Sequence, residues 1–166
     1  MNGAQTLWWR QARSDYDIFA RLRRAGVSEC HLLHYLQMAT EKLSKAYLWR
    51  SGNPPPKAHT GFVRFVRVLS DRPDLQRVAI VLGFDNSLGL ERWANGVLGL
   101  AYSLQNISPT ESRDGPNAEY PWPHLAPTAC PADYKFDLWA LLIDTGKGRK
   151  MLDFIGRAIT DFDRIA

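Results

Sequence analysis

The sequence predicts an all-α protein: an up-and-down helical bundle of five to seven helices, with a long Pro-rich loop at residues 108–132 ahead of the C-terminal helices. Three observations predict it. Residues 28–49 run without Pro or Gly through a helical repeat of apolar side chains. Residues 5–25 do the same and join that segment through a short turn. No set of alternating apolar and polar residues reads as strands.

The segment 28–49 is the expected centre of the bundle. Ser28 is placed to cap it, and Glu29 lies in the first turn, where the helix dipole favours a negative charge. After Gly52, Pro54, Pro55 and Pro56 forbid continuation. At about 100° per residue, Leu33, Leu36, Thr40, Leu43, Tyr47 and Leu48 share one broad face. Leu32, Met38, Ala39 and Ala46 make the other side apolar too, so the helix should pack against at least two others. Along one edge runs a polar stripe of His34, Gln37, Glu41 and Lys45, stacked by their spacing.

Residues 5–25 form the first expected helix. Trp8, Ala12, Phe19 and Leu22 lie on one face, with Asp15 in its middle. A carboxylate there needs a partner, because an unpaired buried charge is costly. Gly26 ends the helix as a C-terminal cap, and Val27 and Ser28 turn the chain back. So short a connection makes the two helices antiparallel neighbours. Lys42 and Lys45 are then the expected cations for Asp15, with His34 next. The opposite face carries Arg10, Arg13, Arg21 and Arg24, with Asp17 four residues from both Arg13 and Arg21. These arginines are either a solvated face or contacts for RNA or phosphate.

A helix over 61–70 follows, with Phe62, Phe65, Val66 and Leu69 inward. Pro73 suits the first position of a short helix over 74–82. Residues 87–105 predict another helix, which holds Gly89, Gly96 and Gly99. Each costs about 1 kcal/mol relative to Ala, and the usual return is close approach of another backbone, from a neighbouring helix or a second subunit. The loop 108–132 is long enough to suggest a functional or partner-binding role, with Tyr120 and Trp122 as its expected anchors. Residues 133–143 read as a short helix or strand. Residues 149–165 close the chain as a helix with Leu152, Ile155, Ile159 and Phe162 inward.

Composition bounds the function. The chain of 166 residues is 45% hydrophobic and 23% charged, as expected of one globular domain. A net charge of +4 favours polyanions only weakly. No run approaches the ~18 apolar residues of a membrane helix, and the N-terminus lacks the apolar core of a signal peptide. Cys30 and Cys130 are expected as reduced thiols in a cytoplasmic protein. No metal and no cofactor is expected: His31 and His34 are three apart, but no third ligand accompanies them. No nucleophile elbow and no phosphate-cradling glycine motif occurs.

In the second helix, His34, Gln37, Ala39, Glu41, Lys42, Lys45 and Ala46 form a run that resembles the Q-x-A-x-E-K-x-x-K-A pattern of the HEPN domains, named for nucleotide binding in higher eukaryotes and prokaryotes. Trp8 or Trp9, Ala12 and Asp15 in the first helix, the proline turn, and His59 at the next helix start are similar to that family's order of features. The family's Thr-His stands here as His59-Thr60. The resemblance covers roughly the first seventy residues. It implies a four- or five-helix bundle, often a homodimer. Some members are ribonucleases, toxins or defence effectors, frequently encoded beside a nucleotidyltransferase-fold partner. The ribonuclease members carry Arg, four to six residues, then His, late in the bundle. Here the comparable spacing is Arg24 to His31, at the turn between the first two helices. His124 lies in the loop, with Arg113 too far before it. Tyr120-Pro121 resembles a Tyr-Pro motif of some members, but Glu119 precedes it where they carry Arg.

The candidate chemistry is therefore narrow. In the stripe, Glu41 would favour a cationic His34, and a cationic His34 or Lys45 can bind phosphate. The same residues can instead satisfy Asp15 and hold the first two helices in register, which is the favoured reading. The segment Gly146, Lys147, Gly148, Arg149, Lys150 precedes a helix and can receive a phosphate, although a plain helix–helix turn with exposed lysines is the favoured reading. Three functions are expected, in this order: a non-catalytic HEPN-like component of a toxin–antitoxin or defence system, associated with RNA or a nucleotide; an endoribonuclease with an atypical site from His31 or His34 and Arg24; and an adaptor that binds a protein through residues 120–124.

Overall fold

The computed structural model describes residues 1–49, 61–107, 118–124 and 130–166. Among them are eight helices and no strand: α1 (Gly3–Ala25), α2 (Glu29–Leu48), α3 (Gly61–Ser70), α4 (Leu75–Val81), α5 (Ser87–Gln105), α6 (Asp137–Asp144), α7 (Gly146–Thr160) and α8 (Phe162–Ile165). The all-α class is as expected. The count exceeds the expected range because the last helix breaks at Asp161, leaving α8 as a single turn. The proline turn and His59 lie outside the described residues, as does much of the 108–132 loop.

Local chemistry sets the helix ends. Asn2 and Gln5 make a reciprocal capping box, so α1 starts two residues earlier than the sequence suggested. Gly26 is left-handed at φ 67°, and its amide bonds back to Arg23 while that of Val27 bonds to Leu22. Ser28 does occupy the cap position of α2, but its hydroxyl makes no capping bond. Pro73 lies ahead of α4 rather than in it, and Asp74 takes the cap position. Residues 133–143 resolve in favour of helix: α6 begins after Phe136.

α1 and α2 form an antiparallel hairpin. The pairs Asp15–Lys42, Trp8–Lys45 and Asn2–Trp49 step in opposite directions along the two helices. α2 also packs on α3, α5 and α7, which explains its apolar residues on more than one side. Leu32, Leu33, Leu36, Ala39, Leu43, Ala46 and Tyr47 are all buried. α3 packs on α5, α5 on α4, and α6 on α7. α7 then returns to α1, where the Trp9 indole donates to the Ile159 carbonyl at 2.7 Å. The inward residues predicted for α3 and for the C-terminal helices are buried without exception.

The glycines of α5 receive no neighbouring backbone among the described residues of the chain. A Cβ on Gly99 would meet nothing within 4 Å, and one on Gly96 would come no nearer than 3.8 Å to the Lys147 side chain. Neither they nor Gly89 admits another backbone among the described residues. The glycine that does is Gly148: a Cβ there would lie 2.1 Å from the Leu141 carbonyl oxygen. The turn from α6 into α7 is tight enough that only Gly fits.

Candidate functional site

The polar stripe of α2 is assembled, and each member is engaged. Lys42 meets Asp15 Oδ2 at 2.5 Å, and Gln11 Nε2 donates to Asp15 Oδ1 at 3.0 Å. The buried carboxylate of α1 thus has a charged partner and a neutral one. Lys42 is one of the two lysines expected; Lys45 instead pairs with Glu41, one turn before it, and lies 5.0 Å from the centre of the Trp8 ring. Gln37 reaches across to α5, donating to the Gln105 carbonyl at 2.8 Å. Gln105 in turn accepts the Val63 amide of α3 on its side-chain oxygen at 2.9 Å. Two glutamines therefore tie α2, α3 and α5 together in a buried network.

His34 sits at the outer end of the stripe. The carboxylate placed on it is Glu119, 3.0 Å from Nδ1, while Glu41 salt-bridges Lys45. Glu119 belongs to the short described segment 118–124. That segment is pinned by Trp122, which is fully buried and meets Tyr134 and Phe136 edge-on. Trp122 is the anchor that the sequence suggested. Tyr120 is not buried beside it: its residue is 64% exposed. His31 is exposed, three residues before His34, and Arg24 donates to its own helix at Ala20. Among the described residues, no three His, Cys, Asp or Glu side chains gather as a metal site.

Glu29 serves two helices. Its carboxylate accepts the Phe136 amide at 2.8 Å and lies 3.7 Å from Lys135. It caps the start of α6 from a distance as well as standing in the first turn of its own helix.

The candidate phosphate contacts divide into two groups. Arg149 donates to the carbonyls of Ile143 and Asp144, and Lys150 to that of Gly83, so both hold turns together. Thr145 Oγ1 accepts the Gly148 amide, which caps α7 internally. Lys147 remains exposed. On α1, by contrast, Arg10, Arg13 and Arg21 are exposed. Arg10, Arg13, Ser14 and Asp17 line a shallow surface groove with Trp9, and the Arg13 guanidinium lies 5.9 Å from the centre of the Trp9 ring.

One feature was missed in the sequence. Arg64 and Arg67 of α3 and Tyr102 of α5 line a second groove with Val63 and Gln105. Its signal was available: with Phe62, Phe65, Val66 and Leu69 inward, positions 64 and 67 must share the outer face.

Cys30 and Cys130 are both free thiols, the first buried and the second exposed. Burial pushes the Cys30 thiol above its ordinary value. Among the described residues, no helix is long and apolar enough to cross a membrane. No protein-family model, curated protein or solved structure matches the chain.

Proposed function

We propose that the chain is a HEPN-like helical protein that associates with RNA without cutting it, as a component of a toxin–antitoxin or defence system. The observation that supports this reading is the division of its cations. Lys42 and Lys45 are taken up in the hairpin and its stripe, whereas Arg10 and Arg13 stand outward on α1 beside Trp9, and Arg21 is exposed further along the same helix. A stripe committed to internal pairs serves the fold, and an exposed row of arginines offers phosphates a contact surface. The homodimer and a nucleotidyltransferase-fold partner belong to the same proposal, because the resemblance of the second helix implies them; the cytoplasmic setting joins it from the reading of Cys30 and Cys130 as reduced thiols.

The test uses end-labelled RNA with and without divalent metal, on native and denaturing gels. Wild type runs beside His31→Ala and His34→Ala. The expected result is a mobility shift that weakens with salt, with no cleavage. Cleavage abolished by either substitution, with folding intact, would replace this reading with an atypical endoribonuclease. The absence of both shift and cleavage would favour an adaptor. For that second reading the supporting observation is Tyr120, exposed beside the buried Trp122.

A further inference from the structure

We propose that the groove between α3 and α5 is a subsite for a nucleotide of single-stranded RNA, with Arg64 and Arg67 on phosphate and Tyr102 stacked on a base. This rests on the RNA-binding reading and gives it a location distinct from α1. The groove encloses about 410 Å³ and is lined by Val63, Arg64, Arg67, Tyr102 and Gln105. That falls within the range of roughly 300–1,000 Å³ typical of small-ligand sites.

The two arginines lie three residues apart and are both exposed, so their guanidinium groups can converge on one anion. Asp71, one turn beyond Arg67, is spaced for an ion pair with it. Among the described residues neither arginine forms one. Arg72, Arg77, Arg157 and Arg164 all have carboxylate partners, whereas Arg64 and Arg67, like the exposed arginines of α1, have none among the described residues.

Tyr102 is 62% exposed and among the most exposed large side chains of the described residues. Its ring stacks on no other aromatic there, and its hydroxyl has no hydrogen-bond partner among them. Folding gains little from such a residue. A base, with a flat face of its own, is the partner that such a ring accepts most generally.

Gln105 adds a donor of fixed orientation. It is 5% exposed, and its side-chain oxygen is held by the Val63 amide. Its –NH₂ therefore remains a donor, and among the described residues no acceptor takes it. A carbonyl or ring nitrogen on a base edge fits it. Two cations, one flat ring and one amide donor match a nucleotide better than a carboxylate-rich peptide, whose oxygens would use the arginines and the amide but offer no flat face to the ring.

The experiment measures fluorescence anisotropy of a labelled twelve-nucleotide oligouridine against the full chain, its Tyr102→Ala, Tyr102→Phe and Arg64→Ala/Arg67→Ala variants, and an Arg10→Ala/Arg13→Ala variant. Circular dichroism melts check that each is folded. Tyr102→Ala is expected to weaken binding about ten-fold, as loss of one stacked base does, while Tyr102→Phe keeps wild-type affinity. The paired arginine variant should weaken binding and flatten the dependence of log K on log salt by about 1.4, for two contacts. If wild type binds and the groove variants bind equally well, the groove is overturned and the RNA reading stands. If wild type binds no RNA at low salt, both fall. A duplex of the same length bound as tightly as the single strand, or polyglutamate competing as well as RNA, would also overturn base stacking here.

Discussion

Lys42 Nζ lies 2.5 Å from Asp15 Oδ2, joining the middle of α1 to the second half of α2. The Asp15 side chain is only 8% exposed, whereas that of Lys42 is 20% exposed. Removing either partner leaves the other short of a charge, but Lys42 can reach water more easily. Asp15→Ala is expected to cost about 2 kcal/mol, since a charged hydrogen bond and its buried geometry are lost together. Asp15→Ala/Lys42→Met should cost less than the sum of the single changes. Urea denaturation of the four proteins gives the coupling. An Asp15→Ala protein as stable as wild type would mean that the pair contributes nothing to the hairpin.

Gly148→Ala should be among the most damaging single methyl additions. The new Cβ would lie 2.1 Å from the Leu141 oxygen and 2.5 Å from Leu142 Cα, both backbone atoms. Overpacking of this kind costs about 3 kcal/mol. Gly99→Ala is the control: its Cβ meets nothing within 4 Å, so the helix-propensity gain of about 1 kcal/mol should appear. Opposite shifts of the two urea midpoints are expected. Equal effects would show that the α6–α7 turn yields.

Acid should loosen the turn from α3 into α4. Hydrogen bonds from Arg72, then Arg77, hold the Asp74 carboxyl well below the usual carboxylate range. The same contact raises Arg72, which also donates to Tyr47 and to the Ile165 carbonyl. Because the folded-state value of Asp74 lies below the unfolded one, its contribution is full well above the unfolded value of about 4, begins to fall near it, and is lost as pH drops on through the lower folded-state value. Asp74→Asn should therefore flatten the fall of stability with pH from about 5 downward, measured by chemical denaturation at a series of pH values. The carboxylate is about a third exposed, so the change should be modest. Parallel curves for the two proteins would rule the contribution out.

The two thiols should separate by reactivity. Cys130 is exposed, while Cys30 is 2% exposed and its thiol is pushed up by burial. A thiol-specific disulfide reagent at neutral pH is expected to label Cys130 quickly and Cys30 only on unfolding. Fast labelling of Cys30 in the native protein would show that the start of α2 opens.

Much of the helix layout was legible because its causes are local. Apolar spacing, Gly26 and the breakers near Pro73 act over a few residues, and α5 spans the residues that the pattern gave. The short turn at Gly26 made the hairpin antiparallel, which put Asp15 opposite the lysines. The local pattern fell short where a residue also had a distant use. Glu29 stands in the first turn of α2 as expected, but its bond to the Phe136 amide was not legible from neighbours along the chain. Tyr120 and Trp122 looked alike as anchors, yet one is exposed and the other fully buried.

By itself the sequence determined the all-α class, the main helices and their inward faces, because periodicity and capping depend on neighbours along the chain. Only the tertiary structure decided that Glu119 meets His34, that Gln105 joins α2 to α3, and that Gly148 is the glycine another backbone needs. Those facts depend on which helices cross and where. That is fixed by burying several apolar faces at once, and no short stretch of sequence carries it.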